Sequence, residues 1–284
     1  MQKNQFILIA IGLIALISLY FFGIRHDAHA GHKHKESGTP QQAQSAGGMP
    51  QNNVEAANFE DIYSAAQAKL DATAKTKALE LQKSANKQQT AIAYKDAAEF
   101  WEKKDLNIAA YYYKKGALLE NTEKSLTFAG NLLTLQMANT PDAEIKEWQA
   151  NEAIECFTKA LELNPKNLDT KIALASCYID GTGEIMKGVG SLKEVTALDS
   201  TNSAANLLLG KLSVQSGQHE KALKRLNTVL SQDSKNTEAL YFLAETHKNM
   251  GNKDKAIELF EQCKKIVNNP DFSTEIDNYI RSFN

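Results

Sequence analysis

Disulfide and zinc chemistry are poorly served by this sequence. Its 3 cysteines, Cys156, Cys177 and Cys263, lie far apart, with no CxxC pair and an odd total. Their spacing assembles neither a disulfide framework nor a zinc ribbon. All three fall inside helical patterns and read as buried small hydrophobes. Proline is scarce as well, 5 in 284 residues, and with plentiful Ala, Leu, Lys and Glu this favours helix over sheet. Nor does charge of one sign dominate. The 32 Lys and Arg against 34 Asp and Glu leave a net −2, so no global field draws the chain to nucleic acid or anionic lipid. Catalytic motifs are missing too. The stretch GTGEIMKGVGSLK (181–193) contains glycines but matches neither GxGxxG nor GxxxxGK[ST], and no strand precedes it. No HExxH, Ser/His/Asp grouping or carboxylate pair stands out. These absences point away from an enzyme, and no cofactor is expected.

What is present begins with an uncharged run, Phe6 to Ile24, of 19 residues. As a helix it would span roughly 28 Å, near the thickness of a bilayer core. Two readings compete: an uncleaved anchor at 6–24 behind a short tail at 1–5, or a secretory signal with Ala28-His29-Ala30 as its cleavage site. Signal cores are typically about 7–15 residues, shorter than this run, so the anchor is preferred. Counting Lys and Arg on either side slightly favours a cytoplasmic C-terminal side. A five-residue tail before a first hydrophobic segment instead fits a bacterial signal-anchor that exports the chain beyond it. The exported orientation, an inner-membrane protein with its body in the periplasm, is chosen.

Residues 25–56 read as a linker. Its second part is rich in Gln, Gly, Ser, Ala and Pro and has no apolar periodicity. Its head carries His26, His29, His32 and His34. A weak zinc, copper or nickel site is the functional reading, and a polar linker without fixed geometry is the preferred one.

From residue 57 the pattern turns helical. Phe59, Ile62, Tyr63, Ala66 and Leu70 define one face of a helix expected to run to about Ser84, a solvent-facing lead-in within 57–89. Beyond it the chain repeats itself. Ala109, Ala153, Gly188, Ala222 and Ala256 are each followed four residues on by Tyr113, Phe157, Leu192, Leu226 and Phe260, and seven residues on by Gly116, Ala160, Val195, Val229 and Cys263. Those offsets share one helical face, where a small residue admits a neighbouring helix and a large one fills the space beside it. An upstream set, Ala97, Gly130, Ala175, Gly210 and Ala244, lies twelve residues before the first in three units, room for a helix, a turn and a second helix. Gly217 and Gly251 fall at the turns, where a left-handed cap suits glycine.

The marks advance by 44, 35, 34 and 34 residues, the period of a helical solenoid. Residues 90–270, best in SAANLLLGKLSVQSGQHEKALKRLNTVLSQDSKN and the stretch after it, resemble the tetratricopeptide-repeat family. The expected units are 90–122, 123–167, 168–202, 203–236 and 237–270. The resemblance implies an all-α, right-handed solenoid of about five hairpins, and a scaffold or adaptor that binds a protein partner. Envelope protein assembly or quality control is the setting it suggests. A metal-handling protein using the histidine-rich segment is the alternative.

In the resembled family, inner residues of the first helices contact the ligand. By register these are Tyr94, Ala98 and Trp101; Thr127, Asn131 and Thr134; Ile172, Ser176 and Ile179; Leu207, Lys211 and Val214; Tyr241, Glu245 and Lys248. Ile172, Ile179, Leu207 and Val214 make an apolar strip suited to an amphipathic helix or extended peptide. The alternative is that the lead-in or a second copy covers it. Tyr94 and Ala98 stand where a carboxylate clamp needs Lys and Asn, so no recognition of an acidic C-terminus is expected.

Departures from the repeat are also legible. Asp96 stands where later units have Leu. Thr140-Pro141 suggests a cap and first-turn proline, with an extended or added helix packing Ile145 and Trp148 inward. One extra residue lies near Gly181-Thr182-Gly183. Tyr111 to Tyr113 read as core and lead-in contacts before a ligand platform, and His247 as a structural histidine. At 271–284, Phe272, Ile276, Ile280 and Phe283 form a stripe expected to cap the last repeat, with partner binding as the alternative.

Overall fold

In the computed structural model the chain is described from residue 57 to residue 283. The expected anchor at 6–24 and linker at 25–56, with its four histidines, lie outside the described residues. Among the described residues there are 13 α-helices, one π-helical turn and no strand. No helix among them is long and apolar enough to cross a membrane. They form two compact units, 57–209 and 210–283, divided within one helix.

The first unit holds α1 (Phe59–Ala68), α2 (Ala72–Gln88), α3 (Ala91–Trp101), α4 (Leu106–Glu120), α5 (Glu123–Asn139) and α6 (Ala143–Leu163). After them come α7 (Leu168–Ser176), its π-helical continuation Cys177–Gly181, α8 (Ile185–Leu198) and the first part of α9 (Ser203–Gln215). Three antiparallel hairpins, α3 with α4, α5 with α6 and α7 with α8, stack in sequence order. Each starts with a side chain that accepts a free N–H of the first turn: Thr90 from Ala93, Thr122 from Ser125, Asn167 from Thr170. These caps set where each first helix begins.

Close packing obeys the small-and-large pattern. A methyl group on Gly130 would lie 2.6 Å from the Phe157 ring, and one on Gly188 would lie 2.5 Å from Ile179 and 2.8 Å from the Ala175 carbonyl. Leu126, Leu133, Cys156 and Phe157 are fully enclosed between α5 and α6, and Leu192 and Val195 lie beneath α7 and α9. The first hairpin departs from the pattern. Tyr113 is only half-buried and gives its hydroxyl proton to Glu102 at 2.5 Å, while Tyr112 takes the interior position. With Asp96 exposed in place of an inward Leu, α3 turns Tyr94, Ala98 and Trp101 inward, into one core with Tyr63 of α1 and Ala78 and Ala85 of α2.

Three other expectations are corrected. The lead-in is two helices, because the Asp71 side chain caps Ala74 and starts α2 afresh. It does not simply face solvent either: Ile62, Tyr63 and Ala66 of α1 are buried. The long second unit is filled by a single 21-residue α6, capped by Asp142 and not by Thr140, whose backbone is extended. Trp148 is buried, as expected, and Ile145 is half-buried. The surplus residue near Gly181 appears as the π turn. One residue more than an α-turn is wound into the end of α7, against Ala150 and Met137.

The second unit holds the rest of α9, then α10 (His219–Gln232), α11 (Thr237–Asn249), α12 (Lys253–Val267) and α13 (Pro270–Arg281). Gly210 meets Leu226 where a methyl group would come within 2.8 Å. Gly217 and Gly251 adopt φ of +68° and +80°, the left-handed turn expected of them. Pro270 opens α13, with Asn269 as cap. Phe272, Ile276, Tyr279 and Phe283 are the buried stripe. Tyr279 replaces the expected Ile280, since positions three, four and seven residues apart track one face more closely.

Candidate peptide-binding face

On α5 the core face is Leu126, Ala129, Gly130, Leu133 and Met137. Successive helical residues turn by about 100°, so Lys124, Phe128, Asn131 and Leu135 point away from that core. Two of these are large and apolar: Phe128 is 54% exposed and Leu135 is 57% exposed. Phe128 leans edge-on against Tyr113, with ring centroids 5.3 Å apart. It borders a recess of about 210 Å³ shared with Ala91, Lys95, Tyr113 and Gly116. The neighbouring first helix, α7, meets α5 through Thr134, whose hydroxyl lies 3.6 Å from the Cys177 sulfur. Ile172 and Ser176 of α7 and Ile179 of its π-helical continuation are each half-buried. The result is an open strip of aliphatic and aromatic side chains, with Asn131 as a polar centre.

The expected groove residues divide into three groups. Asn131 is exposed, and Thr127, Thr134, Ile172, Ser176, Ile179 and Leu207 are partly accessible. Tyr94, Ala98 and Trp101 are buried. Trp101 is 1% exposed and meets the Tyr63 ring of α1 edge-on at 5.4 Å, so a side chain of α1 helps to cover it. In the 210–283 unit, Val214, Tyr241 and Glu245 are buried too. There Lys211 pairs with Glu238 at 2.8 Å and lies over the Phe242 ring. Lys248 sits 3.8 Å from Glu245 and 4.3 Å above the Tyr279 ring of α13. Val214, Tyr241 and Glu245 thus serve the interior, while Lys211 and Lys248 remain partly exposed. Phe128 and Leu135 stand one residue beyond the expected Thr127 and Thr134. The signal was present, as an apolar pair seven residues apart opposite the core stripe.

Lys114 and all three thiols lie in the interior. Lys114 of α4 is buried and pairs with Glu152 at 2.5 Å and also with Glu155. Burial works against its ammonium, but attraction and hydrogen bonding to the two carboxylates outweigh this and hold its pKa above the usual lysine value. Burial pushes the Cys156 and Cys263 thiols up to about 12 and Cys177 to about 11. All three are free and buried, and groups this hard to ionise are poor nucleophiles. Burial also lowers the pKa of His247, with Lys255 adding to the effect. Its ring Nδ1 lies 3.4 Å from the Asn252 amide. Among the described residues no three His, Cys, Asp or Glu side chains gather as a metal site.

Stacked helical hairpins with an exposed apolar strip define the described residues as those of an α-helical repeat protein. Within that class, models of the tetratricopeptide-repeat family match residues 214–273 and, separately, 148–167. The chain is 27% identical over 176 residues to the interferon-induced protein with tetratricopeptide repeats 3 of Mus musculus, covering 57% of this chain and 44% of that protein. It therefore spans less than half of that relative's length. A tetratricopeptide repeat protein from Parabacteroides merdae superposes with a TM-score of 0.54 at 20% identity, over 68% of this chain and 73% of the other. MamA of Desulfovibrio magneticus does so with a TM-score of 0.50 at 18% identity, over 65% and 98%. At these identities the likeness is one of fold. Repeat folds of this kind are interaction modules, using extended surfaces to bind other proteins.

Proposed function

We propose that the chain is a membrane-tethered scaffold that holds a peptide or helix of a partner protein on the exposed strip of α5 and α7. The observation that carries this reading is the pair Phe128 and Leu135, large apolar side chains turned away from the core on either side of Asn131. Side chains of this size gain most by being covered, and a row of them seven residues apart matches one face of an amphipathic helix or alternate residues of an extended peptide. The uncharged run at 6–24 supports the tether, and export across a bacterial inner membrane is the orientation we assign to it. Assembly or quality control of envelope proteins is the work we assign to it.

Selection of a displayed library of random 12-residue peptides on the full chain in detergent micelles tests the strip. Enriched peptides should be rich in aliphatic and aromatic residues. They should lose at least tenfold in affinity for the F128E/L135E double variant, whose circular dichroism should match the parent. Equal affinity for both proteins would remove the strip as the site. For the tether, protease added outside spheroplasts should digest a C-terminal tag that carbonate extraction leaves in the membrane pellet. A protected tag would reverse the orientation, and an extracted one would remove the anchor.

A further inference from the structure

The contact made by α1 is unlike the rest of the first unit. Its apolar stripe is short. Phe59 lies flat on Tyr111 with ring centroids 3.6 Å apart, Tyr63 meets Trp101 edge-on, and Ile62 and Ala66 complete the burial. Tyr111 in turn stacks near Trp148 of α6 at 6.3 Å. The polar groups at this contact are badly matched. The hydroxyls of Tyr63 on α1 and Tyr112 on α4, both buried, have no hydrogen-bond partner among the described residues, and neither does the amide nitrogen of Gln67. Buried polar groups are ordinarily paired, and a set left over on both sides of one contact marks surfaces that are not each other's best partners. Burial raises the Tyr112 pKa, so its hydroxyl stays protonated and has a hydrogen to donate that no described residue accepts. The helix is also weakly held by its own chain. It has ten residues and ends at the Lys69–Asp71 break, where Asp71 caps α2 independently. A helix of that length does not persist in water without docking.

We infer that the surface formed by Trp101, Tyr111, Tyr112 and Trp148 is a second helix-docking site, with α1 as its resident occupant. The helix that replaces α1 belongs to a partner protein. It presents an aromatic residue, an aliphatic residue three positions on and a small residue seven positions on, as Phe59, Ile62 and Ala66 do. At the Tyr63 position it carries a hydrogen-bond acceptor for the Tyr112 hydroxyl. This site uses different residues from the α5–α7 strip and stands or falls without it.

The 2 tryptophans of the sequence, Trp101 and Trp148, both lie at this surface, so their fluorescence reads its occupancy. In the full chain carrying F59A and Y63A, iodide quenching of tryptophan should rise at least twofold, with helix lost from no more than the ten residues of α1. A synthetic peptide of residues 57–70 should restore the parental quenching, and a Tyr63→Glu version of it should do so at lower concentration. A scrambled peptide should do nothing. Unchanged quenching, helix loss well beyond α1, or failure of the 57–70 peptide to rebind would each make α1 an integral part of the core and overturn the inference. Tyr63→Phe gives an independent reading. Removing the unpaired hydroxyl while keeping the ring should slow amide hydrogen exchange in α1, and faster exchange would count against a mismatched contact.

Discussion

Gly130 shows how much one methyl group can decide. Its neighbour across the helix pair is the fully buried Phe157 ring, which a new Cβ would meet at 2.6 Å. Gly130→Ala should therefore destabilise the fold by about 1–3 kcal/mol, the range for overpacking a filled core, measured as a lower urea midpoint. Lys114 sets a different expectation. Its folded pKa lies above the unfolded value, so its contribution is complete below the usual lysine pKa of about 10.4 and is lost as pH rises through the folded one. Lys114→Met should cost about 2 kcal/mol at neutral pH, the scale of a charged hydrogen bond. In urea titrations from neutral to strongly alkaline pH the difference from the parent should shrink only at the alkaline end. The thiols offer a third check. With Cys156, Cys177 and Cys263 raised to about 12, 11 and 12, the native chain at pH 8 should react with Ellman's reagent far more slowly than the urea-unfolded chain, which should release all three.

At the scale of helices, α13 is the clearest case of an element held by one stripe. Phe272 is fully enclosed, and Phe272→Ala should cost about 3–5 kcal/mol, read from the loss of ellipticity on heating or in urea. The F128E/L135E double variant should move stability by no more than about 0.5 kcal/mol per site, because both side chains already stand in solvent. The repeated spacing of small and large residues made the hairpins legible, since it records the same contact again and again. The first hairpin was less so. Asp96 breaks the pattern there, and the aromatic partners of Tyr111 and Tyr112 come from α1, outside the repeat. The break at Asp71 escaped detection by periodicity because the apolar stripe crosses it almost in phase, and only the cap marks it. At the candidate face, repeat register points to the first helices of the hairpins, while the exposed pair Phe128 and Leu135 is found only by asking which residues of α5 stand opposite its core stripe. Tyr94, Trp101 and Glu245 went the other way, buried by elements that no single repeat encodes.

For the molecule as a whole, the two compact units, 57–209 and 210–283, meet within α9, and both tryptophans belong to the first. Fluorescence thus reports one unit and far-ultraviolet ellipticity reports both. Phe272→Ala should lower the midpoint seen by ellipticity while leaving the tryptophan midpoint nearly in place, and a shift of equal size in both signals would mean that the units unfold as one.

The wide turn at Cys177–Gly181 bears on how such an array can change in length. A single added codon would ordinarily swing every later side chain around the helix by about 100°. Here the surplus is coiled into one loose loop of backbone, and Gly188 still finds Ile179 and Ala175. Gly181 itself fits against Ala150 only because it has no side chain, since a Cβ there would come within 2.2 Å. Lineages of this protein can therefore gain or lose a residue at such a spot without rephasing the hairpins beyond it, provided the neighbouring helix leaves room for bare backbone.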